Sequence, residues 1–147
     1  MQVSNASLYD GGTALYEGMM MALAATRRNK VIIDDSVNPI YRKMIDSYTS
    51  NLCIDLKHTT STHGLVDRDQ IKRLLDKDTG AIIVQNPNFF GCIDDFTDIV
   101  KMAHDVGALV ISSCYPISLG ILKTPGAMGV DIVTGEGQSL GLSLIHI

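Results

Sequence analysis

The chain has 147 residues, 46% hydrophobic and 19% charged, with 4 prolines and a formal net charge of −4. This is ordinary globular composition and excludes a disordered or fibrous chain; a compact chain of this size buries roughly 70% of its unfolded surface, enough for one core. The acidic balance gives no basic footprint for nucleic acid or an anionic membrane, and no apolar run nears the roughly 20 residues that span a bilayer.

Leu15, Met19, Ala22, Leu23 and Thr26 recur at helical spacing between Ala14 and about Arg27. Val31-Ile32-Ile33 is a short buried strand stopped by Asp34-Asp35-Ser36, and Pro39 opens a helix through Tyr41, Met44, Ile45 and Tyr48. Cys53-Ile54-Asp55-Leu56 has the alternation of a more exposed strand. Asp67 is placed to cap a helix, with Gln70 at the capping-box position; that helix buries Ile71, Leu74 and Leu75, and Gly80 is expected to end it. Ala81-Ile82-Ile83-Val84 is apolar at every position, as a central parallel strand is. Asp94 or Asp95 is expected to cap the next helix, whose stripe is Phe96, Ile99, Val100, Ala103 and Val106 and whose stop is Gly107. Ala108–Ile111 and Asp131–Val133 complete the strands.

Strand–helix alternation with short loops predicts a three-layer α/β sandwich, with a mostly parallel sheet covered by helices on both faces. Ligands in such sheets sit beyond the carboxyl ends of the strands. Here those ends are Asp34–Asn38, Gln85–Gly91, Ser112–Ser118 and Thr134–Gly141, rich in Asn, Gln, Ser and Gly. Cys53, Cys92 and Cys114 are odd in number and widely spaced, and are expected as small buried residues rather than as a disulfide or zinc framework. His58 and His63 are expected in an exposed loop rather than at a metal, and His104 at a helix boundary. Asp34-Asp35 and Asp94-Asp95 suit turns and caps better than paired acid–base work. Phe89-Phe90 is divided between core and subunit contact.

Four stretches carry a resemblance: Asn5-Ala6-Ser7-Leu8-Tyr9-Asp10-Gly11-Gly12-Thr13-Ala14, Gln85-Asn86-Pro87-Asn88-Phe89-Phe90-Gly91, Pro116-Ile117-Ser118-Leu119-Gly120, and Gly129 through Gly141. In order and spacing they resemble the first subunit of glycine decarboxylase, the P-protein of the glycine cleavage system. Tyr9-Asp10-Gly11 and Tyr41-Arg42 look more like the separate first subunit than the fused chain. The resemblance implies part of the large domain of the aspartate-aminotransferase fold (type I pyridoxal-phosphate transferases) over residues 1–141. Residues 142–147 look like a non-family tail of adapter or vector origin, so a truncated piece of a longer protein is expected.

A pyridoxal-phosphate site needs a lysine, a carboxylate at the pyridine nitrogen and donors for the phosphate. After the strand at Asp131–Val133 stand Glu136-Gly137-Gln138-Ser139, and no lysine follows Lys123. After Ala108–Ile111 stand Ser112, Ser113, Cys114 and Tyr115 instead of a carboxylate. Gly11, Gly12 and Thr13 suit a phosphate at the first helix, but Asp10 would repel it. The expectation is no cofactor in this chain, with pyridoxal phosphate in a partner subunit. The resemblance then implies a subunit of glycine dehydrogenase (aminomethyl-transferring), which decarboxylates glycine and passes the aminomethyl group to the lipoyl H-protein; the isolated piece is expected to be inactive. Asn5, Ser7, Tyr9, Asn88, Phe89, Gln138 and Ser139 are the candidates for contact with substrate or partner; no catalytic, cofactor or metal residue is assigned. A bacterial two-subunit form would be cytoplasmic, a fused eukaryotic chain mitochondrial. The alternatives are a piece of another type I pyridoxal-phosphate enzyme, such as a desulfurase or aminotransferase, and a non-enzymatic α/β binding module.

Overall fold

The computed structural model describes residues 3–61 and 63–141; the tail expected at 142–147 lies outside them. In chain order the elements are α1 (Gly11–Thr26), β1 (Lys30–Ile33), α2 (Pro39–Thr49), β2 (Asp55–His58), α3 (Arg68–Leu74), β3 (Thr79–Asn86), α4 (Thr97–Val106), β4 (Leu109–Cys114) and β5 (Ile132–Gly135). Three short 3-10 turns cover Pro116–Gly120, Pro125–Met128 and Gln138–Leu140. The five strands form one sheet in the order β2-β1-β3-β4-β5, and all four pairings are parallel.

The apolar runs become central strands because both faces of the sheet are covered. Successive side chains of a strand point to opposite faces, and the core divides accordingly. Val31, Ile33, Ala81, Ile83 and Ile111 pack under α1 and α2 with Leu15, Met19, Ala22 and Ile45. Ile32, Ile82, Val84 and Val110 pack under α3 and α4 with Ile71, Ile99, Val100 and Ala103. Helix ends follow local chemistry. Pro39 is at the first position of α2 behind Asn38, whose side-chain oxygen accepts from the Ile40 N–H at 2.9 Å. Asp67 accepts from the Gln70 N–H at 2.9 Å to open α3, and Gly107 stops α4 at φ 78°.

Several expectations are corrected. Gly80 does not end α3: the helix stops at Leu74, Leu75 is extended, and the Lys30 ammonium takes the Leu74 carbonyl. Gly80 lies inside β3, where an added Cβ would come within 2.8 Å of Leu23 Cδ2 and 2.9 Å of Thr26 Oγ1, so its bareness lets α1 cross the strand. The cap position of α4 falls on Phe96, without a side-chain bond of its own; Asp95, one residue earlier, still accepts from the Thr97 N–H at 2.9 Å, while Asp94 is held by Arg68. The second strand runs over Asp55–His58, two residues later than expected, as its pairing with β1 dictates. Ser112–Cys114 belong to β4 rather than to the loop after it. Of the cysteines Cys114 is buried, Cys92 half-buried and Cys53 exposed. His58 is in β2 with its ring 2.9 Å from Asp46, not in a loop; His104 pairs with Asp131 at 2.9 Å. Phe89 and Phe90 are not core: they are 54% and 53% exposed.

Candidate functional site

The strands are parallel, so the carboxyl ends of β1, β3, β4 and β5 lie along one edge of the sheet, where the ligand crevice of such folds is found, and the amino end of α1 meets that edge through Glu136. At the end of β1, Asp34 is fully buried; its carboxylate accepts from the Ser36 N–H and hydroxyl and from the Thr59 hydroxyl. Among the described residues no cation pairs with it, and neutral donors hold the turn, in line with a turn role. At the end of β3, Gln85 Oε1 accepts from the Asn38 N–H at 2.9 Å, joining that strand to the start of α2. The next residue, Asn86, exchanges two bonds with the backbone of Asp94, and the Asn86–Pro87 peptide is cis.

Asn88 is the pin of the following loop. Its amide donates to the Gly64 carbonyl at 2.7 Å, and its oxygen accepts from the N–H groups of Phe90 and Cys92 at 3.0 Å each. The Phe89 N–H donates to the Ser36 carbonyl at 2.8 Å, which lays this loop against the end of β1. The two phenyl rings stand outside, edge to face at 5.8 Å. At the end of β4, Ser112, Ser113 and Cys114 are buried, and burial pushes the Cys114 thiol up from its ordinary pKa.

The amino end of α1 was only partly legible. Asp10 caps it, accepting from the Thr13 N–H at 2.7 Å. The Gly11 N–H donates to Glu136 Oε1 from the loop after β5, and the Tyr41 hydroxyl donates to the same oxygen at 3.0 Å. Burial, and then the bond to Glu136, push the Tyr41 phenol up to about 12. No sequence signal joins this trio: Glu136 stands where the cofactor fold would carry a lysine, and Tyr41 reads as one member of a helical stripe.

The candidate residues fall into three places. Asn5, Ser7 and Tyr9 are exposed before α1, Tyr9 at 96% and Ser7 with φ 70°, and among the described residues their side chains make no hydrogen bond. Asn88 and Phe89 share the β3 loop. Gln138 and Ser139 lie in the 3-10 turn after Glu136; Gln138 is exposed, and the Ser139 hydroxyl oxygen is buried with no partner among the described residues.

A family model described as "Glycine cleavage system P-protein" matches residues 1–146. The chain belongs to the glycine cleavage system P-protein family. A relative from Geotalea uraniireducens (strain Rf4), "Probable glycine dehydrogenase (decarboxylating) subunit 1", is 55% identical over 96% of this chain and 32% of its own length. One of the same name from Solidesulfovibrio magneticus is 53% identical over 98% of this chain and 32% of its own length. The chain thus spans about a third of the P-protein relatives it matches. A crystal structure of glycine decarboxylase (P-protein) in inhibitor-bound form superposes with a TM-score of 0.91 at 39% identity, over 99% of this chain and 32% of that one. An O-acetylhomoserine (thiol)-lyase from Campylobacter jejuni that bears a pyridoxyl-lysine shares the fold, with a TM-score of 0.66 at 17% identity over 86% of this chain and 30% of that one. The fold is that of the type I pyridoxal-phosphate enzymes.

Against that family fold, the residues of this P-protein chain do not fit the cofactor. Two carboxylates, Asp10 and Glu136, already occupy the amino end of α1, where a phosphate would be held. Gly11 and Gly12, whose bareness suits a phosphate in the sequence, are packing residues. An added Cβ on Gly11 would come within 2.5 Å of Glu136 Oε1 and of the Tyr41 hydroxyl oxygen, and one on Gly12 within 2.6 Å of Met44 Sδ. The end of β4 offers Ser112–Cys114 with no carboxylate for a ring nitrogen, and the end of β5 offers Glu136–Ser139 with no lysine.

Proposed function

We propose that this chain is part of subunit 1 of glycine dehydrogenase (decarboxylating), with residues 1–141 forming a portion of a large domain that holds no cofactor and walls the site of a second subunit. The occupied amino end of α1 carries this reading: Glu136 and Asp10 stand where a cofactor phosphate would be bound. The cleavage of glycine needs an electron sink, which pyridoxal phosphate on the second subunit supplies when bound. The aminomethyl group then leaves on the lipoyl arm of the H-protein.

What this chain contributes is shape and neutral polarity. Asn5, Ser7, Tyr9, Gln138 and Ser139 offer neutral donors and acceptors, suited to a small zwitterion or a partner loop. Phe89 and Phe90 offer an aromatic contact held in place by Asn88. The bacterial relatives suit a cytoplasmic two-subunit enzyme, and no described helix is long and apolar enough to cross a membrane. The identities of 55% and 53% to the subunit 1 relatives favour this reading over the desulfurase, aminotransferase and binding-module alternatives.

The test is reconstitution of the full-length chain with the second subunit. Exchange of labelled bicarbonate into glycine should require both chains, and the visible cofactor band should follow the second. Exchange by this chain alone, or a cofactor reduced by borohydride onto one of its own lysines, overturns the reading.

A further inference from the structure

We propose that Glu136 is a built-in anion: its carboxylate fills the place of a ligand phosphate at the amino end of α1 and closes the crevice to phosphate-bearing ligands. The first N–H groups of a helix have no partner within it and favour negative charge. Here two of them are met from inside the chain: the Gly11 N–H goes to Glu136 and the Thr13 N–H to the Asp10 carboxylate.

Glu136 is not a local cap. It comes from the loop after β5, 125 residues from Gly11, and Tyr41 of α2 donates to it from a third element. Three elements therefore converge on one oxygen. The Tyr41 phenol, pushed up to about 12, remains a donor throughout the neutral range. The place is also full: a single added carbon on Gly11 would meet both Glu136 and Tyr41 at 2.5 Å. A further anion would face Asp10 and Glu136 at short range, which opposes its entry. The same clasp sets the position of the turn that bears Gln138 and Ser139, two and three residues on.

The inference rests on the same occupied helix end as the proposed function, but its test reads phosphate rather than glycine or the lipoyl protein, so the two fail distinguishably. The experiment takes the full-length protein assembled with its partner and compares native, Glu136→Gln, Glu136→Ala and Glu136→Ala/Tyr41→Phe forms. Thermal midpoint is followed against inorganic phosphate, with chloride at matched ionic strength as control, and phosphate binding to the chain is measured by calorimetry. The native protein should show no phosphate-specific rise. Glu136→Ala should have a lower midpoint that phosphate restores saturably, binding it about tenfold or more tightly than native. Glu136→Gln, which keeps the shape and loses the charge, should respond less, and removing the Tyr41 hydroxyl should weaken the restoration. In the native protein the Gly11 amide should exchange slowly, a reading available whether or not the variants assemble. Equal phosphate response in native and variant proteins, a lowered midpoint with no anion-specific recovery, or rapid Gly11 exchange overturns the proposal.

Discussion

The Asn88 amide donates to the Gly64 carbonyl at 2.7 Å while its oxygen holds the Phe90 and Cys92 N–H groups, so one side chain ties the loop after β3 to the loop before α3. Asn88 is 6% exposed, which makes each of those bonds costly to leave unmade.

Asn88→Ala should therefore destabilise the protein by about 1–3 kcal/mol, with any loss of glycine turnover following the loss of stability. Gln138→Ala should behave oppositely: an exposed side chain without a local partner among the described residues contributes within about 0.5 kcal/mol to folding. If Gln138 meets substrate or partner, turnover or subunit affinity falls while the denaturation midpoint holds. Urea midpoints measured beside bicarbonate exchange separate the two.

Phe89 and Phe90 are more than half exposed, so truncating them removes little from the chain's own core. The Phe89→Ala/Phe90→Ala protein should keep its thermal midpoint and bind the second subunit about tenfold more weakly, or worse. A titration in which the double variant binds its partner as the native chain does removes these rings from the interface.

Tyr41 sets a pH dependence at the alkaline end. Its phenol is raised from 10.0 to about 12 in the folded chain, so folded and unfolded forms bind its proton equally below 10. As pH climbs from 10 towards 12 the unfolded state loses that proton first, and stability falls. After allowance for solvent screening of this partly exposed group, the loss is on the order of 1 kcal/mol. Denaturation curves across that range should show the slope in the native protein and its flattening in Tyr41→Phe.

Arg68 grips Asp94 with two nitrogens at 2.8 and 3.0 Å and reaches Asp98 at 2.6 Å, and these carboxylates raise its own pKa further. Arg68→Ala should lose about 1–2 kcal/mol of stability, and Arg68→Lys nearly as much, because an ammonium cannot reproduce the planar fork. A lysine variant that restores the full midpoint would show that charge alone suffices.

Much of the scaffold was legible because its signals are local. Ile82 and Ile83 face opposite layers, so an unbroken apolar run meant a strand buried on both sides. Pro39, Asp67 and Gly107 act within one turn of themselves. The misreadings share one cause, a partner far away in sequence. Asp94 left its expected cap for Arg68, 26 residues earlier. The Asp55–His58 strand took its limits from β1. Gly80 resembled a helix stop because nothing nearby in sequence shows Leu23 and Thr26 crossing above it. At the site, Asn88 was recognisable as a loop residue, but its Gly64 partner was not. The Gly11–Tyr41–Glu136 convergence joins positions 95 and 125 residues apart and leaves no pattern in any short window.

That separation also orders events during synthesis. α1 leaves the ribosome long before Glu136 exists. At translation rates of about 5–20 residues per second, the nascent helix waits roughly 6–25 s for its distant carboxylate. Until then its amino end is met only by Asp10. β5 therefore brings more than a strand to the sheet: the turn that follows it carries the carboxylate for α1, and a polypeptide halted before Glu136 lacks the group that the Gly11 N–H meets in the folded chain.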